Sequence, residues 1–487
     1  MSTPLMPPRD RRAADGALVV VLGVLSLGAL LLLMRQTVRG IVNQDEFQHA
    51  HIAWLTLRGK LVYRDFFEHH GPLHAFWNAA LMAVAGARPS TATLLMLRWC
   101  SLGYVVASAA TVAMVVRRAG AGWRLAWSAG VLHLSSGVVT TYGVQPRPDG
   151  LYALVLLLAV AFAQRRRFGI TGLLLGLAVG LHPKAVIPVA ALLAALVPGA
   201  RAEGLSPAET VRRLAKTVLA SLVVPVGLAF LFLGAGALDA FVQGMFGYNV
   251  EAFLSPAVVK PERTPFGFLF LCDPHMLAAV VGGTVLAVAG VCARPAVDSG
   301  RTLLAWTVLL TLPMFFMKSY PHVLLWPIPL VLLATALVEA RHQHVAAWVV
   351  TAAVLAGLVH NAARLKLAPA GHREEQEEDI AAVRAADAAG DRGAYVWPSR
   401  CAGYVFRDEQ AWMWLPSRVF GVSGMVTATD ELSRRAYKDL FTQVEHQELD
   451  WVLLDQRELD AMVPADVAVL ERNYRREHGC LWRRRQP

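Results

Sequence analysis

The chain has 487 residues, of which 55% are hydrophobic and 17% charged, and its mean hydropathy is +0.44. This balance excludes an ordinary soluble enzyme and is typical of a polytopic membrane protein. The net charge of +10 does not indicate a nucleic-acid binder. Of the 46 Lys and Arg residues, 30 lie in residues 1–368, mostly in short loops between apolar segments. Basic residues in such loops indicate the orientation of the spans and contact with membrane lipids.

The chain begins with a basic segment that precedes its first apolar run. Residues 1–16 include Arg9, Arg11 and Arg12, and residues 17–34 are almost entirely aliphatic. This order resembles a signal peptide, but no small-residue cleavage site follows and further apolar segments do, so we expect an uncleaved first span. Residues 1–16 would then form a cytoplasmic N-terminus.

Ten further apolar segments bring the predicted number of transmembrane helices to about eleven. They cover approximately residues 93–116, 124–142, 149–163, 168–181, 185–198, 215–235, 277–293, 302–317, 322–338 and 345–361. Several are shorter than the roughly 20 residues of a straight crossing, and we expect a broken helix around residues 182–188. Residues 17–361 are therefore predicted to form one transmembrane domain.

The basic residues of the loops predict the orientation of these spans. They fall in every second connection, at Arg9, Arg11 and Arg12, at Arg117, Arg118 and Arg124, at Arg165, Arg166 and Arg167, at Arg201, Arg212, Arg213 and Lys216, and at Arg294 and Arg301. Because cytoplasmic loops carry the excess of positive charge, we expect the first loop, residues 35–92, and the C-terminal residues 362–487 on the outer side of the cytoplasmic membrane.

The first outer loop contains two short segments with helical periodicity. One begins at Asp45 and the other at Pro72, a residue that the first turn of a helix tolerates. We expect two amphipathic helices lying in the membrane interface, holding the polar residues of the loop at one depth. Ionisable groups so close to hydrocarbon are costly unless they are paired, solvated or functional.

Asp45 and Glu46 are the candidate catalytic residues of this loop. A general base must lie within hydrogen-bond distance of the group that it deprotonates. Two adjacent carboxylates at a helix start point in different directions, so one can accept a proton while the other binds or orients. The alternative interpretation is structural, with Asp45 as the N-cap of a helix and Glu46 as a charge that complements the helix dipole.

A second polar cluster follows in the same loop and consists of Asp65, Glu68, His69 and His70. These residues are candidates for supporting an acceptor or a metal ion. Glu68, His69 and His70 could ligate a divalent metal, although adjacent histidines have neither helical nor strand spacing. A metal-free site in which cations neutralise a departing phosphate would serve equally.

Basic residues also lie in the outer loop and in the outer turns between spans. They are Arg64, Arg147, Lys184 and Lys318, the last beside Tyr320 and His322. Each cation alone could be an interfacial side chain that extends toward water. Converging from separate helices, they would instead form a binding site for phosphate at the outer mouth of the bundle.

The composition changes after residue 361. An acidic, alanine-rich segment has helical character, and residues 394–397 and 451–454 have strand character. Residues 362–487 are therefore predicted to form a small extracytoplasmic α/β domain. Cys401 and Cys480 both fall in it and could form a disulfide if the domain lies outside the cytoplasm.

The pattern of the first loop resembles a known superfamily. The residues that carry the resemblance are Asp45-Glu46-Phe47, Gly59, Tyr63-Arg64-Asp65 and Glu68-His69-His70-Gly71-Pro72-Leu73, with a weaker match at Lys318-Ser319-Tyr320-Pro321-His322. They are similar to the first outer loop and a late donor-binding turn of GT-C superfamily glycosyltransferases, and within it to family 39-type enzymes such as protein O-mannosyltransferases and the lipid A aminoarabinose transferase.

The resemblance implies a polytopic, GT-C-like membrane enzyme that transfers a sugar from a polyprenyl-phosphate donor, with inversion, to a hydroxyl of a lipid, an envelope glycan or a protein. By motif position Asp45 is the candidate base and the cations are candidates for the donor phosphate. The competing hypothesis is a transporter or flippase of lipid phosphates or lipid-linked sugars, because broken helices and buried cations would suit it too. Charges gathered at one face of the bundle favour the transferase.

Overall fold

The computed structural model describes residues 8–42, 44–66, 68–87, 91–250, 264–292, 299–316 and 321–367, and C-terminal segments within residues 378–395 and 441–486. Of the sequence predictions, Lys318, Tyr320, Cys401 and Cys480 lie outside the described residues. The described part is a helical bundle followed by a small sheet.

The bundle is formed by helices of 5 to 32 residues. The helices are α1 (Pro8–Arg39), α2 (Gln44–Leu57), α3 (Pro72–Val84), α4 (Thr91–Arg118), α5 (Trp123–Leu134), α6 (Pro148–Gln164), α7 (Phe168–Leu181), α8 (Val186–Ala202), α9 (Pro207–Gly234), α10 (Leu238–Val242), α11 (Pro265–Cys272), α12 (Pro274–Cys292), α13 (Ser299–Thr311), α14 (Pro327–Leu332) and α15 (Gln343–Leu367). Seven helices within the described residues are long and apolar enough to cross a membrane, and three further apolar ones are shorter. A multi-pass helical membrane protein is thus confirmed, whereas the count of eleven spans stays a prediction.

Small residues let the helices approach closely in the centre of the bundle. A Cβ atom at Gly172 of α7 would collide with the carbonyl oxygen of Thr217 on α9. In an apolar solvent, helix association depends on this close packing rather than on the hydrophobic effect. Most of the buried apolar side chains of the spans form one large core, and those of α2, α3 and the end of α9 belong to a second cluster.

Both helices predicted in the first loop are present. Helix α2 begins with two acidic residues in its first turn, where the helix dipole favours negative charge. Helix α3 begins at Pro72. Gly71 lies against α7, because a Cβ atom there would collide with the carbonyl oxygen of Gly180. The loop is therefore held directly against the C-terminal end of α7.

Three chain breaks meet below this loop. Helix α7 stops at Leu181, His182 is extended, and a short 3-10 turn, Pro183–Ala185, leads into α8, as the sequence predicts. Helix α5 is followed by a π-helical turn, Val139–Gly143. Helix α6 begins at Pro148, with Arg147 at the preceding position. Polar backbone and side chains are tolerated at such breaks where they line a cavity.

The C-terminal region contains the predicted small sheet. Its strands are β1 (Gly393–Tyr395), β2 (Trp451–Leu453), β3 (Tyr474–His478) and β4 (Leu481–Arg484), and helix α16 (Pro464–Asn473) precedes β3. The strand order is β1-β2-β4-β3, with β1 and β2 parallel and the other pairs antiparallel. The sequence prediction of an α/β domain is confirmed for the described residues.

Candidate active site

An ion-pair triad lies where α2 meets the break before α6. The Nη1 atom of Arg147 donates a short hydrogen bond to Oδ2 of Asp45. Its Nε atom lies 3.5 Å from Oδ2 of Asp149, on the first turn of α6. The Arg147 side chain is 3% exposed, whereas that of Asp45 is 28% exposed. Asp45 therefore offers a carboxylate edge to solvent while its partner is enclosed.

Glu46 occupies a different environment from its neighbour. Its side chain is fully buried, and its two carboxylate oxygens accept hydrogen bonds of 2.6 and 2.9 Å from Arg98 of α4. Arg98 also donates to the carbonyl oxygens of Thr37, Gly40 and Ile41. The pair thus ties the start of α2 to the end of α1, and the geometry favours a structural role for Glu46.

Buried histidines surround Glu68 beside the triad. Oε1 of Glu68 accepts from the backbone nitrogens of His69 and His70 at 2.7 and 2.8 Å, and lies 2.7 Å from Nδ1 of His70. Because a carboxylate only accepts, Nδ1 of His70 carries the proton and its Nε2 presents a lone pair. The rings of His49 and His74 contact each other, and His49 also contacts His70.

The imidazoles of this cluster are held in the neutral form. Burial lowers the pKa of His49 and His69 well below the usual value. It lowers the pKa of His70 and of His74 to about 3, with further repulsion from the Arg147 charge. Neutral imidazoles are the form that ligates metal ions.

One group of side chains in the described residues has the spacing of a metal site. Ligand atoms of His49, Glu68 and His70 all lie within 4.8 Å of one another. The Nε2 atom of His49 is buried and has no hydrogen-bond partner in the described part of the chain. Two imidazoles and a carboxylate fit a zinc-like divalent cation. The sequence predicted Glu68, His69 and His70 as metal ligands, whereas in the structure His49 takes the place of His69.

The predicted cations divide into two groups. Lys184 lies in the turn after α7, close enough to Asp149 and Arg147 to interact with their charges. His322 also lies within range of Arg147 and Lys184, and its ring is 6.1 Å from that of Tyr142. Arg64 instead points outward and pairs with Asp65 at 2.8 Å, with 47% and 29% of the two side chains exposed.

Sequence reasoning missed four residues that the geometry brings to the site or its support: His49, Arg98, Asp149 and His182. His49 follows Asp45 by four positions, so both lie on one face of α2. Asp149 follows Arg147 by two positions at a helix start. His182 lies 3.9 Å from Asp149 and 5.3 Å, ring to ring, from His70. Arg98 gave the clearest missed signal, because an arginine inside an apolar span needs a partner.

Comparison with known proteins identifies the fold. No protein-family model and no curated protein sequence matches the chain. The solved structure of ArnT from Cupriavidus metallidurans in the apo state covers 93% of this chain and 95% of its own, with a TM-score of 0.59 and 16% identity. The same protein bound to undecaprenyl phosphate aligns over 94% of this chain and 85% of its own, with a TM-score of 0.52 and 16% identity.

An archaeal oligosaccharyltransferase is similar as well. The Archaeoglobus fulgidus enzyme in complex with Zn and sulfate covers 93% of this chain and 71% of its own, with a TM-score of 0.54 and 13% identity. ArnT and this enzyme are GT-C proteins. The chain therefore has the GT-C fold that its first loop predicts.

Proposed function

We propose that the chain is an integral membrane glycosyltransferase that transfers a sugar from a polyprenyl-phosphate donor to a hydroxyl acceptor. The observation that carries the proposal is the Asp45–Arg147–Asp149 triad with Lys184 beside it, at helix breaks on one end of a GT-C bundle. Similar structures support the donor class, because one holds undecaprenyl phosphate and another dolichol-phosphate.

Asp45 is the proposed general base. Its exposed carboxylate edge would take the proton of the acceptor hydroxyl, whose oxygen then attacks the anomeric carbon of the donor. The bond from that carbon to the phosphate oxygen breaks, and the lipid phosphate leaves with the electron pair, so the configuration inverts. Arg147 now neutralises Asp45. A phosphate that competes for this guanidinium would release the carboxylate for contact with the acceptor hydroxyl.

The remaining site residues have supporting roles in this proposal. Arg147 and Lys184 stabilise the departing phosphate, with His322 and the predicted Lys318 and Tyr320 at its edge. Glu46 and its partner Arg98 hold α2 so that Asp45 faces the reacting atoms. Arg64 and Asp65 belong to the predicted donor and acceptor sets, and their mutual ion pair at the loop surface favours a part in shaping the loop.

A divalent metal ion is a proposed cofactor. His49, Glu68 and His70 would hold it, and a structure similar to this chain contains Zn. When bound, the metal would supply positive charge next to the phosphate. The chain's own residues keep the two imidazoles neutral and orient His70 through Glu68, and this arrangement favours metal ligation.

The location and partners follow from the same reasoning. Apolar helices support a multi-pass protein of the cytoplasmic membrane, with the site and the C-terminal domain on the outer side. A donor carried by lipid phosphate suits that side, where nucleotide sugars are absent. The acceptor is a lipid, an envelope glycan or a protein, and an acceptor peptide in one similar structure supports the last class.

The test is transfer from a panel of radiolabelled polyprenyl-phosphate sugars in membranes that contain equal amounts of wild type or Asp45→Asn. We expect transfer by the wild type and at least a hundredfold loss in the variant, the usual contribution of a general base. Arg341→Gln, an exposed change next to Glu339, is the control and should match wild type. Lipid-phosphate binding without transfer from any donor would favour the flippase instead.

A further inference from the structure

Hydrogen bonds to two successive carbonyl oxygens hold the backbone that carries the candidate metal ligands of the first loop. The hydroxyl of Tyr63 donates a hydrogen bond to the carbonyl oxygen of His70. The side-chain amide of Asn249 donates to the carbonyl oxygen of His69 at 2.6 Å. Because Glu68 and His70 belong to the candidate metal group, these two contacts bear on the geometry of the proposed metal site.

Tyr63 has a backbone conformation that a bulky residue disfavours. Its φ angle is +68°, in the left-handed region, where a large residue other than glycine is a rare outlier. Its backbone nitrogen donates to the carbonyl oxygen of Phe66 at 2.9 Å, across the turn that the two residues share. Such strain persists only where the surrounding structure enforces it, and strained residues cluster at functional sites.

The ring of Tyr63 is enclosed by the end of α9 and by the residues that follow it. Its centroid lies 5.5 Å from the ring centroid of Phe232 and 5.6 Å from that of Phe241, in T-shaped contacts, and the residue is 4% exposed. A Cβ atom at Gly244 would lie 2.5 Å from the Tyr63 ring and 3.0 Å from the carbonyl oxygen of Glu68. This part of the chain therefore packs directly on both the ring and the ligand loop.

Asn249 follows the π-helical turn Gln243–Gly247 and is fixed by a second hydrogen bond. Its Nδ2 atom donates to the carbonyl oxygen of Met245 at 2.9 Å as well as to that of His69. Because carbonyl oxygens only accept, both contacts require the nitrogen of the amide. The preceding Tyr248 adds a ring contact to His69, with 5.3 Å between the ring centroids. The amide is thus oriented toward the loop before any ligand binds.

We propose that Tyr63 and Asn249 are positioning residues for the metal site. They fix the backbone of His69 and His70, so that the ligand atoms of the candidate metal group converge on one divalent cation. Both hydrogen bonds go to backbone oxygens, so the two residues act on the metal through the loop rather than by ligation. The inference rests on the proposed function, of which the metal site is a part, and it names residues that set the geometry of that site.

The C-terminal sheet offers matched controls for a purely structural role. Tyr474 of β3 is also a buried tyrosine, and its hydroxyl donates to the carbonyl oxygen of Leu449 at 2.9 Å. Tyr474→Phe therefore removes the same kind of hydrogen bond as Tyr63→Phe, but in the sheet instead of the loop. Asn473→Ala is the control for Asn249→Ala, because the Asn473 amide also donates to two backbone carbonyl oxygens.

The experiment measures the zinc affinity of the purified full-length protein in detergent by competition with a chromogenic chelator, with thermal unfolding of the zinc-free protein measured in parallel. We expect Tyr63→Phe and Asn249→Ala each to weaken zinc binding about ten- to a hundredfold, the usual effect of losing a partner that orients a ligand. The two control variants should bind zinc as wild type does. The visible absorption spectrum of the Co²⁺-loaded protein, which reports the arrangement of the ligands, should change in Tyr63→Phe and stay unchanged in Tyr474→Phe.

Wild-type zinc affinity in Tyr63→Phe would overturn the proposal. So would an equal loss of affinity in Tyr63→Phe and Tyr474→Phe, because it would follow from reduced stability alone. If Tyr63→Phe does not fold, Asn249→Ala decides by the same comparison with Asn473→Ala. A wild type that binds no zinc overturns the proposal as well. A wild type that binds zinc but transfers no sugar contradicts the proposed function and leaves the positioning role standing.

Discussion

Asp45 and Glu46 are neighbours in the chain, but they lie in two different regions of the molecule. Glu46 is fully buried, and Arg98 satisfies both of its oxygens together with three carbonyls of the preceding chain. Asp45 shares Arg147 with a second carboxylate and is 28% exposed. A region whose polar groups are all paired inside the fold provides stability. A region in which two carboxylates share one guanidinium and one of them reaches solvent can bind and react.

The largest expected effect comes from removing Arg98, the partner of the buried Glu46. Arg98→Gln leaves Glu46 buried without its charge partner, which costs about 3–5 kcal/mol for a pair of this kind. We expect strongly reduced yield of folded protein, measured by thermal unfolding in detergent. The double variant Glu46→Gln/Arg98→Gln removes the unpaired charge and should recover part of the loss. Wild-type stability in Arg98→Gln would contradict the structural role.

A change beside Asp45 and Arg147 should affect activity rather than folding. Lys184→Gln removes one cation from the proposed phosphate site, and we expect kcat/KM for the lipid donor to fall about ten- to a hundredfold, the scale of one charge-assisted contact. Lys60→Gln, a change at a half-buried lysine in the turn after α2, serves as the control. If both variants kept wild-type kinetics, Lys184 would have no part in binding the donor.

The histidine cluster predicts how stability depends on pH. His70 and His74 have a pKa of about 3 in the folded protein, against 6.5 in the unfolded chain. Between these two pH values the unfolded chain binds more protons than the folded protein. The free energy of unfolding therefore falls as the pH decreases from 6.5 to 3. At pH 5 the free energy of unfolding is about 2 kcal/mol lower for each imidazole, if the fold does not relax. Thermal unfolding should show a shallower pH slope for His74→Asn than for wild type. An unchanged slope would contradict the prediction.

The metal hypothesis gives a smaller and more specific expectation. His49→Gln removes one of three candidate ligands, and we expect zinc affinity, followed by competition with a chromogenic chelator, to fall about ten- to a hundredfold. His344→Gln, on the far side of the bundle beside Asp15, is the control. Equal zinc binding in the two variants would exclude His49 as a ligand.

Much of the fold was predictable from the sequence because apolar runs and proline positions are local signals. Pro72 and Pro183 mark a helix start and a helix break that the structure contains. The site was only partly predictable, since its pairs join distant segments. Arg98 meets Glu46 across 52 positions and Arg147 meets Asp45 across 102. No periodicity encodes which side of a helix faces such a partner.

The metal group illustrates the same limit. Glu68 and His70 are near in sequence and were predicted together, whereas His49 joins them only because α2 folds back over the loop. His69 is adjacent to both but is not part of the group. Spacing along the chain identified the right segment, and packing between helices determined which of its imidazoles converge.

The most direct measurement is the single-turnover rate of sugar transfer by purified Asp45→Asn and Glu46→Gln at saturating lipid donor, with donor affinity measured in parallel. We expect Asp45→Asn to lose at least a hundredfold in rate while the donor dissociation constant changes less than about threefold. Glu46→Gln, where folded, should retain far more of the rate. A full rate in Asp45→Asn, or a loss explained entirely by weaker donor binding, would contradict Asp45 as the base.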